Sequence, residues 1–451
     1  MAKIRTRFAP SPTGDIHIGS LRTALYSYAL ARKNSGDFIL RIEDTDKKRE
    51  VAGSKETVKK LLGIFGLDWD EYYVQSERLG LYQKIAEKLI ADGHAFYCQC
   101  KPKNSKEGFS KELRDPCRDK SLKSGAVKLK IPDNKNIEFK DFVLGKTVSW
   151  ETDSLADTIL LKSDGFPTYH LAVVVDDHDM NVSHVLRGHD WLPSTPIHLL
   201  LYQYLGYEAP KIGHLSDIQD PEGGKLSKRR GSTSCEGLLR NGYLPEAILN
   251  FIMLLGWAPK DNRELYSLKE FVEVFDVKGL QKSNPVFNRE KLDWFNGEYI
   301  RKVSDKNLTE KIYENDPGYM EKSLISEFVP LVKTRLQNLN QFKSMTSFVK
   351  PWDKFKRPSK DLFGKNYNNH LSKALEVLGK LDKCDLDDLN NSLLEEIKRQ
   401  KYNTGDFFMD LRIAVTGARI SPPINESIII LCKKFGIKDV KERIKRVLEN
   451  K

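Results

Sequence analysis

The sequence predicts an α/β protein: an open parallel sheet interrupted by an α+β insertion, followed by an all-α C-terminal region. Three observations predict it. Up to about residue 215, segments of strand-like alternation trade places with segments of helical period, as in βαβ units. Between about 95 and 155 the texture changes to cysteines, charges and short strands. From about 237 onward the apolar period is almost wholly helical, as at Leu324, Phe328, Leu331, Val332 and Leu336. At 451 residues the chain is too long for one core. The expected divisions are 1–95 and 159–235 as two halves of the sheet domain, 96–158 as the insertion, and two helical regions at 236–300 and 301–451.

The elements follow in order. "KIRTRFA" alternates and reads as a strand; "PSPTGDIHIGS" (10–20) is a turn; Leu21, Ala24, Leu25, Tyr28 and Ala29 then share one helical face. After the break "NSG", "FILRIE" is the second strand, with helical patterns at 53–65 and 78–92. "GAVKLKI" is a short strand of the insertion. Parallel-type strands are expected to resume with "DTILL", "LAVVVDD" and "VSHVLRG". The stretch 211–235, rich in Gly, Pro and Lys, reads as a functional loop.

The net charge is +11, but residues 331–451 hold 25 Lys and Arg against 15 Asp and Glu, a net of +10. An excess spread over a whole terminal region suits a polyanion, with nucleic acid first. A membrane surface ranks second, because the basic helices lack Trp- and Phe-rich apolar faces. No apolar run approaches a membrane span and no signal-peptide h-region follows the N-terminus. Six scattered cysteines make no disulfide framework, so a cytoplasmic protein is expected, with Cys235, Cys384 and Cys432 unpaired.

Arg7, Glu43 and Arg187 fall at the ends of expected strands, which in an open α/β sheet share one rim. Two guanidinium groups and a carboxylate there match an amino acid with two carboxylates and one ammonium. The common nucleotide signals are missing: there is no G-x-G-x-x-G, and Gln219 and Leu226 break the P-loop pattern around Gly224-Lys225. The opening turn offers another route. A helix starting near Ser20 aims free N–H groups and its positive dipole end above the turn. Gly19 leaves room for a flat base or ribose, and His17 can donate to a phosphate. "GGKLSKRRG" (223–231), with Lys225, Lys228, Arg229 and Arg230, suits a loop closing over a triphosphate. In the insertion, Cys98 and Cys100 at C-x-C spacing, Cys117 and Asp119 would complete a tetrahedral zinc site, the rival reading being three ordinary cysteines. "DDH" (176–178) reads as structural rather than metal-binding.

Taken together, "RFAPSPTGDIHIGSLRTAL", "RIEDTD", "PTYHLAVVVDDH", "STPIH" and "KLSKR", in that order, closely resemble the bacterial glutamyl-tRNA synthetase family of class I aminoacyl-tRNA synthetases. "HIGS" and "KLSKR" correspond to its two signatures, and "LRIAVTGARISPP" (411–423) is similar to its anticodon-binding region. The resemblance implies a Rossmann-type catalytic domain with an acceptor-binding insertion and an all-α anticodon-binding domain. It also implies activation of glutamate by ATP with Mg2+ and transfer to tRNA-Glu, with tRNA-Gln left open as a second substrate, by a monomer that needs no membrane. Carried onto this chain, His17 and Gly19 hold ATP, Asp190 contacts the nucleotide, and Lys225, Ser227 and Lys228 steady the pyrophosphate. Arg7, Ala9, Ser11, Glu43, Tyr169 and Arg187 would bind glutamate, and the cysteines a structural Zn2+. Two positions depart from the common pattern: Ser20 stands where class I enzymes in general keep a second histidine, and His189 replaces a frequent acid in "RGHDW". A stand-alone nucleotidyltransferase would need neither the basic helical region nor the glutamate pocket. The shortened glutamyl enzyme that modifies a tRNA base lacks residues like 301–451. A non-catalytic relative would have lost His17 or the lysines, and glutaminyl enzymes carry "RFDDTN"-like sequence in place of "RIEDTD".

Overall fold

The computed structural model describes residues 3–100, 113–226, 233–381 and 383–449. It divides into two compact units, residues 1–239 with 245–292, and residues 240–244 with 293–451.

In the first unit, strand β1 (Arg5–Phe8) leads through the turn into α1 (Ile18–Lys33) and strand β2 (Asp37–Ile42). Helix α1 buries Leu21, Ala24, Leu25, Tyr28 and Ala29, the face its period marks. The return to β2 needs Gly36, because a Cβ there would lie 2.0 Å from the Ile4 carbonyl oxygen. Next come α2 (Ser54–Ile64), β3 (Glu71–Val74) and α3 (Leu79–Ala91). β1, β2 and β3 form one parallel ladder, with Arg7 opposite Ile39 and Arg41 opposite Tyr73.

The insertion carries β4 (Ala95–Cys98), β5 (Ala126–Leu129), the hairpin β6 (Asn136–Asp141) and β7 (Lys146–Glu151), and β8 (Ile159–Leu161). β8 is the core of "DTILL", and it pairs antiparallel with β5 instead of joining the parallel sheet. "LAVVVDD" also departs from expectation: it lies in a helix, α4 (Tyr169–Asp179). An apolar run of this length fits a buried strand or a buried helix equally well. Here the helix packs between α3 and α5 (Thr195–Leu205), so Leu171 to Val175 are all buried and no polar face appears.

Strand β9 (His184–Gly188), as expected from "VSHVLRG", pairs parallel with β10 (Lys211–Leu215). The start of the stretch expected to be loop is therefore a strand. Ser183 N–H donates to the Arg5 carbonyl at 3.0 Å and Arg7 Nη1 donates to the Leu186 carbonyl at 3.4 Å. β9 thus runs beside β1 in the same direction without a paired ladder between them, so that the two parallel sheets lie side by side in the order 3-2-1-9-10. The order reverses between β1 and β9, the point at which open α/β sheets bind ligands. Helices α6 (Cys235–Arg240), α7 (Pro245–Met253) and α8 (Leu268–Val274) follow, and α9 (Arg289–Lys302) begins in this unit and continues into the second.

The second unit is helical among its described residues: α10 (Asp305–Asn315), α11 (Lys322–Val332), α12 (Gln341–Thr346), α13 (Tyr367–Lys380), α14 (Leu386–Gln400), α15 (Thr404–Thr416), α16 (Ile424–Phe435) and α17 (Ile437–Leu448). Leu324, Phe328, Val332 and Leu336 of the expected face are buried, and Leu331 is only half-buried. Cys384 and Cys432, expected to be unpaired, form a disulfide with Cα atoms 6.0 Å apart. They are 48 residues apart, and only the packing of α14 against α16 brings them together.

Candidate active site

The switch point between β1 and β9 opens a cleft of about 360 Å³. Its lining includes Arg7, Ala9, Ser11, His17, Gly19, Glu43, Tyr169, Arg187, Asp190 and Lys225, all singled out from the sequence. Ser227, Lys228, Arg229 and Arg230 lie outside the described residues.

His17 is the N-cap of α1. Its Nδ1 accepts the Gly19 N–H at 3.1 Å, so in the neutral ring the proton sits on Nε2. The helix thus points its N-terminus at the cleft. Above that end, Lys225 pairs with Asp190 and, at 3.0 Å, with Asp217. Burial works against the ammonium, but the two carboxylates prevail and hold the Lys225 pKa above its ordinary value.

Guanidinium groups line the same cleft. Arg7, 4% exposed, meets Asp177 at 3.2 Å. Arg41, which the sequence reading passed over, is fully buried and reaches Asp177 at 2.7 Å, Glu43 at 3.2 Å and Asp176 at 3.7 Å. Asp176 also accepts from Arg78 and the Tyr82 hydroxyl, each at 2.9 Å. The "DDH" acids pair with arginines from the end of α4, Asp177 with Arg7 and Arg41 and Asp176 with Arg41 and Arg78, which fits the structural reading. Burial raises the Glu43 pKa, with Arg41 and Arg7 opposing it. Arg187 differs from its neighbours. Its contacts are His198, His214, Thr195 and the Tyr169 hydroxyl. Trp191, also unread in the sequence, lies 4.1 Å from Tyr169 between ring centroids and walls the cleft.

The insertion contains a second cluster, with one correction. Cys98, Cys100 and Cys117 converge with Asp115, not Asp119, and one donor atom from each lies within 4.8 Å of all the others. Asp119 is 90% exposed and pairs with Lys130 at 3.5 Å. Asp115 folds back because its Oδ1 accepts the Cys117 N–H at 2.8 Å, an Asx turn with Pro116 between them. The Sγ atoms of Cys100 and Cys117 are 3.5 Å apart, close to the edge of about 3.8 Å that a tetrahedral zinc–thiolate site requires. Three sulfurs and one oxygen suit that ion. Asp115 also pairs with Lys128 at 2.5 Å, an interaction that a metal at this position would replace.

Residues 3–294 match the family described as tRNA synthetases class I (E and Q), catalytic domain, and residues 283–448 match the anticodon binding domain family. The chain belongs to the class I tRNA synthetases of the E and Q group. A glutamate–tRNA ligase of Dehalococcoides mccartyi is 39% identical over 99% of this chain and 98% of that protein. The Aquifex aeolicus glutamate–tRNA ligase is 36% identical over 100% of this chain and 99% of its own. The crystal structure of a glutamate tRNA ligase from Elizabethkingia meningosepticum in complex with its amino acid superposes with a TM-score of 0.83 at 30% identity, covering 100% of both chains. The family's catalytic match contains the whole cleft described above. No helix among the described residues is long and apolar enough to cross a membrane.

Proposed function

We propose that this chain is a glutamate–tRNA ligase that activates L-glutamate with ATP and transfers it to tRNA-Glu. The observation that carries the proposal is the charge set of one cleft: a helix N-terminus with His17 and Lys225, and Arg7, Glu43 and Arg187, all line it. In the first step an oxygen of the glutamate α-carboxylate attacks the α-phosphorus of ATP. The bond to the β-phosphate oxygen breaks and pyrophosphate leaves. In the second, a ribose hydroxyl of the terminal tRNA adenosine attacks the acyl carbon and AMP leaves. Such chemistry depends on positioning and charge stabilisation more than on covalent help.

His17 and the backbone around Gly19 hold the ATP, with Asp190 at the nucleotide; Lys225, Ser227 and Lys228 meet the departing pyrophosphate. Arg187, Arg7 and Tyr169 take the carboxylates, Glu43 the ammonium, and the β1 end at Ala9 and Ser11 the backbone of the amino acid. Mg2+ is expected as the counter-ion of ATP. Residues 96–158 would receive the acceptor end, and the basic region 301–451 would grip the anticodon arm through phosphate contacts and unstacked bases.

Selectivity tests the pocket. Calorimetric titration should find glutamine bound at least about 10-fold more weakly than glutamate, because an amide loses a charge-assisted hydrogen bond to a guanidinium. Equal affinities would contradict the assignment of the pocket.

Cys98, Cys100, Cys117 and Asp115 would hold Zn2+, which braces the insertion when bound. Metal analysis of protein purified under metal-replete conditions should find about one zinc per chain, lost in Cys117→Ser. Absence of zinc would refute this site and leave the ligase reading intact.

A further inference from the structure

Arg187 is solvated almost wholly by neutral groups, which separates it from the other guanidinium groups of the cleft. It is 5% exposed and has no carboxylate partner among the described residues. Its Nε–H donates to His214 Nε2 at 3.0 Å, Nη1 to His198 Nδ1 at 3.0 Å and the Tyr169 hydroxyl at 3.3 Å, and Nη2 to Thr195 Oγ1 at 2.8 Å. Of the five guanidinium N–H donors, this leaves one on Nη2 for a ligand. Carboxylates at those positions would cancel the charge a substrate carboxylate must find; imidazole, hydroxyl and phenol oxygens do not.

The contacts fix the tautomers. Because Arg187 donates, His214 Nε2 must carry a lone pair, and its proton sits on Nδ1, 2.6 Å from Asp141 Oδ2. By the same logic His198 carries its proton on Nε2, 3.2 Å from His170 Nδ1. Burial, together with the Arg187 charge, pushes His198 well below the ordinary imidazole range. His214 is also lowered, by burial first.

Asp141 does not belong to the parallel sheet. It ends β6 of the insertion hairpin, where Oδ1 accepts the N–H groups of Val143 and Leu144 at 2.9 Å each. Oδ2 also accepts the backbone N–H of His214 at 3.2 Å. The hairpin presses on β10 so closely that a Cβ on Gly213 would lie 2.5 Å from Val143 Cγ2. Asp141 and His214 are 73 residues apart in sequence and share a contact with no solvent exposure on either side chain.

We propose that Asp141 and His214 are positioning residues for the amino-acid site: Asp141 sets the His214 tautomer, and His214 holds the Arg187 guanidinium aimed into the cleft with its charge uncompensated. The insertion thereby supplies a residue that orients the amino-acid pocket. This rests on reading Arg187 as a carboxylate anchor.

The test compares KM for glutamate and for ATP in full-length His214→Leu, His214→Gln, Asp141→Asn and Arg187→Gln. His214→Leu removes the acceptor and should raise the glutamate KM about 10-fold, with the ATP KM within about 2-fold. His214→Gln can accept from Nε–H and donate to Asp141, so it should restore most of the affinity. In Asp141→Asn the amide oxygen keeps the turn, while the amide N–H gives up the acceptor of the His214 backbone N–H and forces the ring proton of His214 onto Nε2, facing a donor. It should reproduce the leucine effect, and it serves as the test if His214→Leu does not fold. Equal increases in both KM values, or failure of glutamine to rescue, would indicate a merely structural pair and overturn the inference. An unchanged glutamate KM in His214→Leu and Asp141→Asn, with Arg187→Gln still raised, would overturn it while sparing the anchor. No effect in Arg187→Gln would bring down the anchor reading itself, and the positioning inference with it.

Discussion

Replacing His17 with alanine should lower the rate of glutamyl-adenylate formation by about 10²–10³-fold, the effect of losing one donor that acts on developing charge. The Nδ1 of His17 accepts the Gly19 N–H, so in the neutral ring Nε2 carries the proton at the start of α1. The same substitution removes an N-cap, worth about 1 kcal/mol of stability, so melting temperature must be measured beside the rate. His17→Asn separates the two effects. Asparagine caps helices well, yet it is too short to place a donor where Nε2 lies, so the rate should remain low while stability returns. Lys228→Ala should give a loss of similar size through the pyrophosphate. Near-normal activation in either alanine variant removes that residue from the mechanism.

Arg187→Gln should have the second largest effect, on glutamate and not on ATP. A buried carboxylate that loses a charge-assisted partner loses about 1.5–3 kcal/mol, or about 10- to 150-fold in affinity. The damage should be selective because Arg187, on β9, donates to His214, His198, Tyr169 and Thr195 and not to His17 or Lys225. An unchanged KM for glutamate places Arg187 outside the amino-acid site.

Local signals were legible wherever one short stretch decides the outcome. The change of period across "PSPTGDIHIGS" marks the first strand-to-helix turn, and His17 does cap α1. The strand ends carrying Arg7, Glu43 and Arg187 do converge on one cleft. What the sequence hides depends on distant packing. Leu171 to Val175 have no polar face because α3 and α5 cover them, so their helix looks like a strand. Asp119 fits zinc-ligand spacing, but Asp115 is equally two residues from Cys117, and its Asx turn brings that carboxylate onto the thiols instead. Asp177 pairs with residues 170 and 136 positions away, and His214 with one 73 positions away; no periodicity records such partners. Arg41 did leave a trace: a charge inside "FILRIE" demands a buried counter-charge.

The most direct measurement is charging of purified tRNA-Glu and tRNA-Gln by the full-length protein with labelled glutamate, ATP and Mg2+. Label should become attached to tRNA-Glu, require ATP, and be accompanied by release of AMP and pyrophosphate. Label on tRNA-Gln as well would define a second substrate for the same chemistry. If protein with intact glutamate and ATP binding transferred no label to tRNA-Glu, the assignment as a glutamate–tRNA ligase would be contradicted.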